Sequence, residues 1–148
     1  MNGHGIILRL VCSFALALTA LMSASSTARA DIVIAIDTAA QRMAVSVDGR
    51  TRWTWPVSTG ASSYPTPTGS YRVLRTERHY FSKEWDDAPM PHSIFFTKRG
   101  HAIHGSSHTQ LLGRPVSHGC VRLNPANAAQ LFQLVRSRDL NATTVTVK

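Results

Sequence analysis

Apolar residues alternate along the stretch that begins at Asp31. Ile32, Ile34 and Ile36, with Val33 and Ala35 between them, form an apolar run that predicts a buried strand closed by Asp37-Thr38. Met43, Val45 and Val47 share one face of a second strand, and Asp48-Gly49 predicts the hairpin turn that follows. Trp53, Trp55 and Val57 continue the alternation in the return strand, where Pro56 argues for an edge position or a bulge. A loop rich in Gly, Ser, Thr and Pro runs from Ser58 to Gly69. Further strands are expected over Tyr71 to Arg78, Ile94 to Lys98 and Ala102 to His104, the last two joined near Arg99-Gly100. Between them His79 to His92 shows no period and holds two prolines, the pattern of a lid or binding loop.

The spacing changes once. Asn124 can cap, Pro125 suits a first helical position, and Ala128, Leu131, Phe132 and Val135 fall at i, i+3, i+4 and i+7. Arg136 and Arg138 favour the C-terminal end of that helix, and Thr143 to Val147 reads as a closing strand. Many short strands with one late helix predict a mainly β, single-domain sandwich or barrel-like fold without repeat, linker or second domain.

The first thirty residues stand apart from this domain. Ile6 to Met22 is apolar, follows a modest positive end and gives way to small residues, and Ala28-Arg29-Ala30 supplies a cleavage site. The run is shorter than the ~20 residues a membrane anchor needs and is interrupted by Cys12, Ser13 and Thr19. Residues 1–30 are therefore expected to be an export signal, leaving residues 31–148 in the cell envelope or periplasm without stable membrane insertion.

Loss of Arg9 and Arg29 with that signal lowers the formal charge from +8 to +6. The remaining basic residues form no cluster interleaved with aromatics, so nucleic acid is not an expected partner, and an acidic envelope polymer suits the charge better. Cys12 also leaves, and it lacks the setting of a lipid-attachment cysteine. Cys120 then has no partner in the same chain, so it is buried and inert, paired between chains, or kept for reactivity.

His101 to Asn124 contains four histidines, Cys120 and three glycines. A free thiol is mostly protonated at neutral pH, so a nucleophilic cysteine is expected to have a base or positive neighbour that lowers its pKa. His118 is two residues before Cys120. His104 ends a predicted strand sixteen residues upstream, and a loop containing Gly105 and Gly113 could return the chain to it. No Asp or Glu stands between Asp87 and Asp139, so a carboxylate third partner would have to come from a distance.

Ser117-His118-Gly119-Cys120-Val121-Arg122-Leu123, preceded by Ile103-His104-Gly105, resembles the signature of the YkuD-type L,D-transpeptidases of bacterial cell walls. The likeness extends to Gln41-Arg42-Met43, Val57-Ser58-Thr59-Gly60, Thr66-Pro67-Thr68-Gly69 and Met90-Pro91, and covers Ile32 to Val147. It implies Cys120 as nucleophile, His104 as base and the Gly105 carbonyl as third partner. Such a carbonyl fixes the imidazole tautomer, so no carboxylate is required. Amides around Gly119 and Cys120 would face the oxyanion, with Ser117 and His118 as support, and Arg122 would hold a substrate carboxylate. The implied substrate is a peptidoglycan tetrapeptide stem, with transfer to a stem amine, a free D-amino acid or an envelope-protein lysine, or to water in an L,D-carboxypeptidase. No cofactor and no metal are implied.

Other readings compete for the same residues. A lone cysteine is commonly a buried hydrophobe. His118 could be a second base, although structural support is the favoured reading, and His101 and His108 read as solvated or loop-packing residues. Trp53 and Trp55 could stack on a sugar, but alternating aromatics on a strand more often border a core. His101, His104, His108, His118 and Cys120 are acceptable zinc ligands. Against that hydrolase reading, His101 and His104 lie three apart on a predicted strand and would face opposite ways. A non-catalytic wall-binding module would need the tryptophans and the charge but not the Cys/His pair.

Overall fold

In a computed structural model, residues 31–148 are described, and the expected leader lies outside them. Ten regular elements follow one another: β1 (Ile32–Asp37), β2 (Arg42–Val47), β3 (Arg50–Pro56), β4 (Gly69–Arg72), β5 (Arg75–Glu77), β6 (Ser93–Phe95), β7 (Ala102–Gly105), β8 (Val121–Leu123), α1 (Pro125–Arg136) and β9 (Thr143–Val147). The strands form a five-stranded sheet in the order β3-β2-β1-β9-β4 and a four-stranded sheet in the order β5-β6-β7-β8. The expected mainly β architecture with one late helix is the one found. No helix among the described residues is long and apolar enough to cross a membrane.

Register explains why the larger sheet has one dry face. Ile32, Ile34 and Ile36 lie opposite Val47, Val45 and Met43 on one side and Thr143, Val145 and Val147 on the other. All nine are buried, whereas Val33 on the outer face is exposed. The apolar run of β1 is thus covered on one side only. Asp48 and Gly49 both take positive φ, 52° and 74°, as a tight hairpin turn requires. β3 lies at the sheet edge, where the missing N–H of Pro56 breaks no ladder. Trp53 and Trp55, opposite Val45 and Met43, pack against the core and stack on each other at 5.1 Å.

The expected strand over Tyr71 to Arg78 is two strands in different sheets. β4 pairs with β9 and β5 with β6. Buried Val73 and exposed Leu74 separate them, so the chain turns the corner between sheets at the cost of two ladder positions. The expected strand from Ile94 to Lys98 is also shorter, because Gly100 N–H closes a turn on the Thr97 carbonyl.

In α1, Asn124 Oδ1 accepts the Ala126 N–H at 2.9 Å, Pro125 opens the helix, and Ala128, Leu131, Phe132 and Val135 are its buried residues. They join Ile94, Ile103, Val121 and Leu123 of the smaller sheet and the inner face of the larger one in a single core. The alternate residues Phe95, Ala102 and Cys120 belong to a separate small cluster with Met90. Strand periodicity therefore gives one side of β6 to β8 to the core and the other to a cleft.

Candidate active site

β7 and β8 run parallel, with His104 opposite Arg122 and Ile103 opposite Val121. Residues two apart on a strand share a face, so Cys120, Arg122, Ala102 and His104 lie on the side away from the core. Cys120, His104 and Arg122 line one cleft of about 510 Å³, which the segment after β5 borders with Glu84 and Trp85.

The Nδ1 of His104 lies 2.8 Å from the Gly105 carbonyl oxygen. A carbonyl can only accept, so Nδ1 carries the proton and Nε2 is left as the basic nitrogen. Gly105 is itself pinned, its N–H donating to the Pro91 carbonyl at 2.8 Å, which gives the Met90-Pro91 pair a physical role. Burial pushes the His104 pKa down to about 4 against the raising effect of the Gly105 bond, and the Arg122 charge adds to the fall.

Cys120 is shifted the other way. Burial raises its pKa, outweighing a hydrogen bond from the Ala102 backbone and the Arg122 charge, both of which lower it. The lowered thiol expected from its neighbours is not the resting condition of this site. A neutral thiol faces the same cleft as a neutral imidazole, because neither charge is solvated there.

The loop carrying Cys120 is tied from both directions. Ser117 Oγ donates to the Cys120 carbonyl and accepts the Gly119 N–H at 3.1 Å. Of the two amides expected to face an oxyanion, Gly119's is therefore engaged, while none of the described residues accepts the Cys120 N–H. Gly119 has φ of 110°, and a Cβ there would come within 3.0 Å of the His101 ring. Both the backbone and the packing require glycine at this place.

Val57-Ser58-Thr59-Gly60 serves as the splint. Ser58 exchanges two backbone hydrogen bonds with Arg122, and Ser117 N–H donates to the Thr59 carbonyl. Gly60 N–H donates to Thr66 Oγ1, which donates to the Gly119 carbonyl at 2.9 Å. A Cβ on Gly60 would collide with the Tyr64 carbonyl oxygen. Gln41, at a positive φ of 52°, holds Thr59 by accepting its N–H and donating to its hydroxyl.

His118 makes no hydrogen bond with Cys120. Its ring stacks on Trp85 at 3.9 Å and meets Tyr64 edge-on at 5.0 Å. Trp85 comes from the segment expected to lack structure, which is in fact a short ribbon. Ser82 N–H bonds the Ala88 carbonyl and Met90 N–H the Tyr80 carbonyl, with Asp86 and Asp87 in positive φ at its tip. No period marks it because only Ser82 and Met90 at its base are buried while the residues between them are exposed; Asp86-Asp87 was the available turn signal.

His101 precedes β7 instead of lying on it, so the opposite-face argument does not apply, and it lines the cleft that His104 lines. Its Nδ1 lies 2.8 Å from Thr97 Oγ1, and burial lowers its pKa. Among the described residues no three His, Cys, Asp or Glu side chains converge as a metal site. Glu84 and Trp85, which line the cleft, and Tyr64, which packs on His118 beside it, are residues that residue-type patterns did not single out.

A buried histidine oriented by a backbone carbonyl and a partly buried cysteine thus line one cleft on the outer face of the smaller sheet. Residues 31–147 match the family model for the YkuD L,D-transpeptidase catalytic domain, and the chain belongs to that family. It is similar to the Bacillus subtilis protein YkuD, 26% identical over 117 residues that cover 77% of this chain and 64% of that protein. It also resembles the solved L,D-transpeptidase of Mycobacterium smegmatis, with 26% identity, a TM-score of 0.73 and coverage of 80% and 59% of the two chains. L,D-transpeptidase 3 of Mycobacterium tuberculosis, solved with a faropenem-derived adduct, superimposes at a TM-score of 0.70 with 26% identity, covering 80% and 60%. The chain thus spans less than two thirds of the length of each of these proteins.

Proposed function

We propose that this chain is an exported L,D-transpeptidase acting in the cell envelope on peptidoglycan stem tetrapeptides, with Cys120 as nucleophile and His104 as base. The observation that carries the reading is the His104–Gly105 hydrogen bond, which leaves a free imidazole nitrogen in the cleft that Cys120 lines. Arg122, on the same strand face and unpaired with any carboxylate among the described residues, takes the donor's terminal carboxylate.

Cys120 Sγ attacks the carbonyl of the third stem residue while its proton passes to His104 Nε2. Because the resting pair is neutral, proton transfer and attack proceed together. The Cys120 N–H stabilises the oxyanion. Collapse breaks the peptide bond, His104 protonates the departing D-alanine amine, and a thioester remains on Cys120. An amine then forms a new amide and releases the thiol; water in its place gives a carboxypeptidase. The basic net charge suits the acidic polymer, and the apolar leader with its Ala28-Arg29-Ala30 end accounts for delivery.

Mass spectrometry of tetrapeptide muropeptides incubated with residues 31–148 tests this. Wild type should release D-alanine and yield amide-linked products, and Cys120→Ala should yield neither. Product formation retained in Cys120→Ala would place the nucleophile elsewhere.

A further inference from the structure

The Trp85–His118 stack stands between the cleft that holds Cys120 and a second hollow of about 500 Å³ lined by Tyr64, Pro65 and Pro67. Two charged residues, Glu84 and Arg99, line both. Neither pairs with the other or with another charged side chain among the described residues. Opposite charges that share a wall without pairing are poised for a ligand that carries both signs.

Both charges act on His101. All three line both hollows; the Arg99 charge lowers the pKa of that imidazole and the Glu84 charge raises it, and the ring lies against Gly119, next to the nucleophile. The Glu84 charge also reaches the Cys120 thiol. Arg122, assigned above to the donor, lines the first cleft and not the second. The donor carboxylate thus has a guanidinium of its own, leaving the Glu84/Arg99 wall for the second substrate.

Resting on the transpeptidase reading, we propose that Glu84 and Arg99 recognise the acyl acceptor as a zwitterionic α-amino acid head. Glu84 takes its ammonium and Arg99 the carboxylate on the same carbon. A free D-amino acid, or the amino acid centre at the end of a stem diamino acid, carries both groups. A protein lysine side chain carries only the ammonium, and water carries neither. The ammonium gives one proton to solvent before attack. The nitrogen then bonds to the thioester carbonyl, the C–S bond breaks, and the second proton reaches the departing sulfur through His104, restoring the Cys120 thiol.

The test is acceptor competition on the thioester formed from a tetrapeptide donor, with the ratio of amide product to hydrolysed product read by mass spectrometry. The acceptors are D-methionine, D-methioninamide and Nα-acetyl-lysine. Wild type should favour D-methionine over the other two by tenfold or more. Glu84→Gln should lower the ratio for D-methionine about tenfold, with Glu84→Asp recovering part of it. Arg99→Gln should erase the preference of acid over amide. Equal use of all three acceptors by wild type, or a Glu84→Gln ratio matching wild type, overturns the proposal while leaving the transpeptidase reading intact. Absence of any thioester on wild-type Cys120 overturns both.

Discussion

The indole of Trp85 lies flat on the imidazole of His118, ring centres 3.9 Å apart and planes 12° from parallel. One ring belongs to the ribbon over the cleft and the other stands two residues from Cys120, so the contact is the clasp between cover and nucleophile loop. An aromatic pair of this kind contributes ~0.5–1.5 kcal/mol beyond its area. Trp85→Ala should therefore let the ribbon open more often. Limited trypsin digestion should nick after Lys83 roughly two- to tenfold faster than in wild type. An unaltered nicking rate would mean that the backbone bonds of the ribbon alone hold it down.

His104 makes stability depend on acid. Its folded pKa of about 4 lies below the ordinary value of 6.5, so between those pH values the unfolded chain binds the extra proton. Stability therefore rises with pH through that window and is lost as pH falls from about 6.5 towards 4, by about 3 kcal/mol in full. The half-buried His92 and His101 shift in the same direction. Urea unfolding at pH 7 and pH 4.5 should show a smaller difference in His104→Gln than in wild type. Equal pH dependence in the two proteins would show that His104 is not buried neutral.

Under the proposed function Arg122 bears on both substrate holding and thiol chemistry. Arg122→Ala should lower kcat/KM for the tetrapeptide roughly ten- to hundredfold, the worth of one charged hydrogen bond of ~1.5–3 kcal/mol. The same change removes a charge that lowers the pKa of both Cys120 and His104. The pH midpoint for alkylation of Cys120, already above that of a free cysteine, should move higher still. Normal turnover in Arg122→Ala would remove it from the donor site.

Ser117 holds both ends of the turn before the nucleophile. Ser117→Ala strips the Cys120 carbonyl and the Gly119 N–H of their partner at a place where Ser117 is 1% exposed. An unsatisfied buried polar group costs ~1–3 kcal/mol, and urea unfolding should register that loss. Formation of the proposed thioester from the tetrapeptide donor, followed by intact mass, should slow in the same variant while still placing one acyl group on Cys120.

What the chain discloses before folding follows from how local each feature is. The Asp48-Gly49 turn, the cap at Asn124 and the helical face from Ala128 to Val135 are set by neighbours in sequence, and they are where the pattern puts them. Features made by distant contacts were not legible. Nothing near Val73 announces that the chain changes sheets there, because the choice is made by β9 and β6. Nothing around Gln41 discloses that its amide holds Thr59, eighteen residues away. The direction of the Cys120 shift also escaped the sequence, since burial depends on the ribbon, Met90 and Phe95 closing over the sulfur.

β1 and β9 lie side by side in the middle of the larger sheet, Ile34 against Val145. The pairing imposes an order of events. β1, β2 and β3 can form their hairpins early, but their inner edge stays open until Thr143 to Val147 is present to fill it, and β4 has no place in the sheet before then. Contacts spanning over a hundred residues make such a closure slow. Until that last strand is in place the core that backs the cleft sheet lacks part of its opposite wall, so the final residues of the chain complete the support of a thiol they never touch.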